Sequence, residues 1–323
     1  MRKLPVLILA AALACGSALA DDGAASIAAG GIVMTREPRI TMAKEVLFIS
    51  TSKVVVDYDF RNDTDTDITT EVAFPIPDYK PEEVSRSFQG FDDFKLWVNE
   101  KPIHYTIETK AFVDGRDYSS LLRSMGVDIQ SFGHSNDDNA RPQFDRLSAI
   151  QKERLRKAGL IDRQYDGPNW SVRKKYFWSQ TFPAHATVHI RHEYTPVLGN
   201  SNTVIFDKKA PDSVDTVCMD GSLRKTVQGY IQNSNNEVPF DYVDFILTTA
   251  NTWKTPIEDF TLIVERPHSK GAREDLVSFC WNGPVVKLDA DHFSAHVTDL
   301  IPRKELRVGF ISVFENYWKG TPH

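Results

Sequence analysis

Two neighbouring runs of alternating residues constrain this chain more than anything else in it. In Val54-Val55-Val56-Asp57-Tyr58-Asp59-Phe60-Arg61-Asn62, the side chains of Val54, Val56, Tyr58 and Phe60 fall two apart, with Asp57, Asp59 and Arg61 between them. Successive strand side chains point to opposite faces, so the pattern specifies a half-buried strand with one wet face. An Asp/Thr-rich stretch follows. Then comes Thr69-Thr70-Glu71-Val72-Ala73-Phe74-Pro75-Ile76-Pro77-Asp78, a second strand that stops where two prolines remove ladder donors. The pair reads as the central hairpin of a β-sandwich.

The same alternation recurs. Phe94, Leu96 and Val98 form one set and Ile103, Tyr105 and Ile107 another, across an Asn99-Glu100-Lys101 turn. Val188, Ile190 and Tyr194 alternate with His189, Arg191 and Glu193, and Leu306, Val308, Phe310, Ser312 and Phe314 share one face. Helical spacing is confined to two stretches. One is Ser119–Met125, stopped by Gly126; the other carries Phe144, Leu147, Ile150, Leu155 and Ala158, with Gly159 placed to cap its end. Strands and helices do not alternate as a parallel sheet requires. At 323 residues the chain exceeds the roughly 250–300 that one core usually supports. The expectation is a mainly β protein of two antiparallel β-sandwich-like domains, 21–200 and 201–323, divided at Gly199-Asn200-Ser201-Asn202. The first carries an α-helical insertion over about 117–182.

The N-terminus reads as a secretory signal peptide over residues 1–20. Arg2 and Lys3 precede an apolar run, Leu4–Ala14, too short to span a bilayer, and Ala18-Leu19-Ala20 is a small-x-small cleavage site. Lipid anchoring through Cys15 is the lesser alternative, because Ala12 stands where a lipobox has leucine. No later apolar run has transmembrane length. Loss of Arg2 and Lys3 leaves 36 basic against 44 acidic residues, net −8. A mildly acidic chain without a basic cluster is a poor nucleic-acid binder. Export also frames the cysteines: Cys218 and Cys280 remain, and an oxidising compartment favours a disulfide between them. Such a bridge closes about 60 residues and contributes roughly 3–4 kcal/mol in the chain-entropy picture.

Candidate chemistry is sparse. Asp63, Asp65 and Asp67 alternate as at the start of an EF-hand loop, but Ile68 and Phe74 replace its glycine and glutamate, so the stretch reads as a turn. His185 and His189 share a strand face about 13 Å apart at ~3.3 Å per residue, too far for one zinc, and His192 points to the other face. Asp289-Ala290-Asp291-His292 reads as a loop before it reads as a divalent-ion site. There is no Gly-x-Ser-x-Gly, phosphate-binding or dinucleotide motif. No catalytic, metal or cofactor-binding residue is assigned, and no cofactor is implied. One group stands out as a possible partner face: Trp170, Arg173, Lys174, Tyr176 and Trp178, aromatic and basic together. The alternative is that these rings pack inside.

Several strings together resemble DUF4424, a family of bacterial exported proteins of unknown function. They are Ala28-Ala29-Gly30-Gly31; Ile40-x-Met42-x-x-Glu45-x-Leu47-x-Ile49-Ser50; Val56-x-Tyr58-x-Phe60-x-Asn62; Val72-Ala73-Phe74-Pro75-x-Pro77-Asp78; Trp253 with Pro256-Ile257-x-Asp259-Phe260; and Ser278-Phe279-Cys280. A looser resemblance is to the VIT domain of inter-α-trypsin-inhibitor heavy chains, through the Phe-Pro-x-Pro ending and Tyr194-x-Pro196-x-Leu198. That implies a β-sandwich used for interaction. The family implies no activity and no catalytic residues. The resulting expectation is a non-catalytic module of the bacterial cell envelope, periplasmic or secreted, that binds a protein or envelope component. The alternatives are an envelope hydrolase or metal-dependent enzyme with a dispersed site, and a structural subunit of an envelope assembly.

Overall fold

The computed structural model describes residues 22–28, 31–81, 93–130, 132, 141–162, 167–207, 210, 212–233 and 236–315. The signal peptide read over residues 1–20, with Cys15, lies outside them. The described chain is mainly β, as the alternating patterns require.

Three sheets carry the fold. The first has six strands, in the order Gly31–Met34 (β2), Gly23–Ala28 (β1), Ile68–Pro75 (β5), Ser171–Phe182 (β10), Thr106–Val113 (β8) and Arg116–Asp117 (β9). The second has eight, in the order Val285–Lys287 (β17), His292–Leu300 (β18), Ile257–Glu265 (β15), Ile40–Ile49 (β3), Val54–Asn62 (β4), Ala186–Tyr194 (β11), Lys95–Val98 (β6) and Lys101–Pro102 (β7). The third is built on Leu306–Glu315 (β19). This strand pairs with Phe240–Phe245 (β14), Glu274–Phe279 (β16) and Asn236–Glu237 (β13), and Leu198–Ser201 (β12) lies outside β14. The first two sheets face each other and share one core.

β4 and β5 are not a hairpin. β4 pairs with β3 and β11 in the eight-stranded sheet, whereas β5 pairs with β1 and β10 in the six-stranded one. The chain arches between the sheets, and the two alternating faces meet across the core. Alternation specifies which side of a strand is buried; it does not say whether the next strand lies beside it or opposite. The arch is held by Asn62, fully buried, whose side-chain amide donates to the carbonyls of Thr66 and Phe182 at 2.9 Å each. Its acidic residues are used one by one: Asp63 pairs with Arg61, Asp65 with His185, and Asp67 accepts the Ala184 amide.

The helices are Ser119–Ser124 (α1), Arg141–Arg146 (α2), Ala149–Lys157 (α3) and Gly221–Gln232 (α4). The second helical pattern is thus two helices. Ser148 separates them and caps α3, its hydroxyl accepting the Gln151 amide while Gln151 reaches back to the Ser148 amide. Gly159, at φ 71°, closes the helix end. The helical stretch ends before Ser171. The remainder of the segment expected as an insertion is β10, which joins the sheet, pairing with β8 along Ser171–Phe177 and with β5 along Lys175–Phe182.

The eight-stranded sheet draws strands from both sides of residue 200. β15 pairs with β3 in parallel, Phe260 opposite Glu45 through Val264 opposite Ile49. β14 and β19 also contribute Phe245, Val308 and Phe310 to the main core. Their other residues, Phe240, Ile311 and Val313, build a smaller core with Val217 and with Val227 of α4. Gly309 is obligatory there, because a Cβ would lie 2.6 Å from the Phe240 ring.

Cys218 and Cys280 form a disulfide that ties the turn after Val214–Val217 to the end of β16. It joins Cys218, next to Val217 of the smaller core, to Cys280, next to Phe279 of the main core, so reduction is expected to loosen the join between the two. Adding a reductant should lower the thermal midpoint by roughly 5–10 °C. An unchanged midpoint in differential scanning calorimetry would contradict a stabilising bridge.

Candidate functional site

The proline-rich end of β5 and the residues after β11 converge on one depression, although they lie in separate parts of the sequence. Pro77, Asp78 and Tyr79 form one wall. Tyr194, Pro196, Leu198 and Gly199 form the second, and Tyr242 and Asp244 of β14 the third. Its volume is about 100 Å³. The depression lies where the sandwich meets the third sheet, a position that pockets favour.

Each wall is positioned by backbone pairing. Tyr79 bridges to Val172, its amide donating to the Val172 carbonyl at 3.1 Å while the Val172 amide returns a 2.7 Å bond. Gly199 stands opposite Tyr242 in the β12–β14 ladder. A Cβ on Gly199 would lie 2.0 Å from the Tyr242 ring, so the ring lies directly on the glycine backbone.

Both carboxylates of the pocket are held by guanidinium groups. Arg173 grips Asp78 through Nε at 3.1 Å and Nη2 at 2.8 Å, and its own plane lies over the Phe112 ring at 4.2 Å. Arg307 grips Asp244 through Nε at 2.6 Å and Nη2 at 2.8 Å, over the Tyr242 ring at 4.0 Å. These forked pairs cancel charge and leave carboxylate lone pairs as acceptors. The lining supplies rings, pyrrolidines and acceptors and, among the described residues, no histidine, serine or cysteine.

The family model for the domain of unknown function DUF4424 matches residues 20–308. The chain belongs to the DUF4424 family. No curated protein matches it. A solved structure from Legionella pneumophila subsp. pneumophila str. Philadelphia 1, described provisionally as a nutrient binding protein, is similar at 15% identity and a TM-score of 0.41, covering 87% of this chain and 68% of that one. At those values the likeness carries no functional inference.

In this DUF4424 chain the expected partner face is mostly interior. Trp170, Lys174, Tyr176 and Trp178 are all buried. Trp170 packs on Phe132 and donates its indole N–H to the Ile129 carbonyl, seating the helical stretch on the sheet. Tyr176 stacks on Phe94 at 3.9 Å, and Trp178 meets His192 edge-on at 5.5 Å. β10 runs between two neighbours, so its even-numbered side chains enter the core and its odd-numbered ones face outward. Arg173 is the outward member, and it reaches the pocket through Asp78. Tyr79, Tyr242 and Asp244 were not singled out by sequence: each is an unexceptional residue until the sheets bring it to its neighbours.

No group of three or more His, Cys, Asp or Glu side chains among the described residues could hold a metal ion. His189 instead pairs with Asp59 and Asp57, and His292 with Asp289.

His192 is fully buried among Tyr58, Phe74, Phe94 and Trp178, at ring-centroid distances of 4.8–5.5 Å. Its ring nitrogens make no hydrogen bond among the described residues, and Asp22 Oδ2 lies 3.5 Å from Nε2. Burial pushes its pKa down to about 3, so the folded protein holds it neutral. The unfolded chain takes up that proton below about 6.5. Stability is therefore expected to fall as pH drops from about 6.5 towards about 3, by about 2 kcal/mol between pH 7 and pH 5. Urea unfolding at both pH values checks this, with His192→Phe losing that share of the slope. Equal slopes for the two proteins would remove His192 as the cause.

Proposed function

We propose that the chain is an exported, non-catalytic binding module of the bacterial cell envelope, which takes one small group of a protein or envelope component into the Pro77–Tyr194–Tyr242 pocket. The observation that carries this reading is the pocket's chemistry. Rings and prolines give apolar contact, while Asp78 and Asp244, each neutralised by its arginine, offer acceptors without net charge. Such a lining suits an uncharged or weakly polar group with hydrogen-bond donors, anchored as a small knob of a larger partner. The leader-like residues 1–20 and the disulfide between Cys218 and Cys280 support export.

A second reading, a structural subunit of an envelope assembly, is supported by an exposed apolar edge. β17 is the outermost strand of the eight-stranded sheet, and Val286, Leu288 and Ile301 are each more than half exposed.

The pocket reading is tested by filling it. Leu198→Trp, at a half-buried wall position, is expected to leave the thermal midpoint within a few degrees. Envelope components captured by the wild type should fall by about tenfold with the variant. Equal capture by both proteins would exclude the pocket as the anchor. Light scattering of the purified wild type addresses the second reading, which requires self-association or a stable complex through β17.

A further inference from the structure

The six-stranded sheet contains an edge where a sheet interior is expected. β10 pairs with β5 along Lys175–Phe182 but with β8 only along Ser171–Phe177, the last β8 partner being Thr106 opposite Phe177. Trp178–Phe182 therefore carries β5 on one side and, among the described residues, no strand on the other. The cause is local. Before Thr106 the chain leaves this sheet for the opposite one: the Ile103 amide donates to the Leu96 carbonyl at 3.1 Å, and Tyr105 donates its hydroxyl to the Phe94 carbonyl at 2.6 Å.

The departure opens a groove of about 520 Å³ at this edge, lined from β10 by Phe177, Trp178, Ser179 and Gln180. Val98 and Ile103 wall one side and Phe177 the other, and Ile27, 69% exposed, stands at its rim. The floor includes Trp178, whose indole N–H is buried with no acceptor among the described residues. Thr181's carbonyl takes the side-chain amide of Gln180 at 2.7 Å, so part of the edge is covered by a group that can turn away.

We infer that this groove takes an extended peptide segment, which adds as a strand beside Trp178–Phe182 and continues the line of β8. Main-chain groups on an open strand edge recognise another main chain, and alternating apolar side chains then fill the walls on either side. Five residues of strand offer about 17 Å of contact at ~3.4 Å per residue. Glu71 lines the same groove, with His104 and, among the described residues, no lysine or arginine, so a basic residue in the segment is favoured over an acidic one. Two of the outer edges are poorer acceptors. β9 and β7 are two residues long and carry Arg116 and Lys101, features that discourage strand pairing.

This site is separate from the proposed pocket, and its test is independent. A displayed library of random dodecapeptides is panned on the purified wild-type chain, with the Ile27→Glu/Ile103→Glu protein as counter-selection after circular dichroism has shown it folded. Enriched peptides are expected to carry apolar residues at alternate positions. A synthetic copy should slow amide exchange across Trp178–Phe182 by about tenfold or more and bind Leu198→Trp as it binds wild type. Methylating alternate backbone nitrogens should cost about tenfold in affinity in one register and little in the other, because only one set of amides faces β10. The inference is overturned if no peptide separates the two proteins, if protection falls elsewhere, or if both methylated registers bind like the parent. Since the pocket lies elsewhere, each of those failures leaves the pocket reading standing.

Discussion

The contact on which the sandwich depends is the aromatic layer around His192. Tyr58 comes from β4, Phe74 from β5, Trp178 from β10, and Phe94 from the residue before β6. Strands of both sheets therefore meet at one imidazole, and edge-to-face rings give that meeting a defined geometry. A charged imidazole would be costly at this depth, which is why the group stays neutral. The same layer uses β10: its buried even-numbered residues include Tyr176, stacked on Phe94, and Trp178, edge-on to His192.

The second constraint is the parallel ladder between β3 and β15. It draws residues after 200 into the same sheet as the first strands of the chain. Trp253 adds to the join, donating its indole N–H to the Asp22 carbonyl at 2.7 Å and packing on Phe60 and Phe182. Once β15 is fixed, the chain between residues 200 and 256 must return along the side of the sandwich. That return places Tyr242 and Asp244 against the Pro77 turn. The pocket follows from this connectivity: two sheets cannot meet at an angle without leaving a corner, and here the corner is filled by prolines, tyrosines and two arginine–aspartate forks.

Much of the strand content was legible in the alternating runs, and so was the sidedness of individual residues: His192 does face away from His189. Pairing was not legible. Val54–Asn62 and Ile68–Pro75 have the pattern of a hairpin and also the pattern of an arch, because both bury one face of each strand. The start of β10 was hidden for a different reason, although the strand pattern returns at Tyr176. Arg173, Lys174 and Lys175 interrupt its apolar alternation, yet Lys174 is one of its buried residues. A long aliphatic stem lets lysine occupy a position where alternation expects an apolar side chain. The helix stops were clear because glycine at positive φ is a local requirement, as at Gly159. The pocket was only half visible. Its two signature strings could be quoted from the sequence, but Tyr242 and Asp244 belong to it through sheet packing alone.

The two open features differ in what they ask of a partner. The pocket is held by close contacts: Tyr242 is pressed on Gly199, and each carboxylate is forked by an arginine. A charge-balanced corner discriminates by shape and by hydrogen-bond donors, and it contributes little long-range attraction. The groove beside Trp178–Phe182 is the reverse. Its main-chain edge is indifferent to sequence, and its selectivity has to come from the walls that Ile103, Phe177 and Val98 provide. Both features sit at the margins of the layer around His192. Their lining residues outside that layer can therefore change at the surface without opening a cavity in the core, where loss of a large side chain costs several kcal/mol. A fold of this kind can hold its sandwich constant while the chemistry at its corner and its interrupted edge is adjusted to different partners.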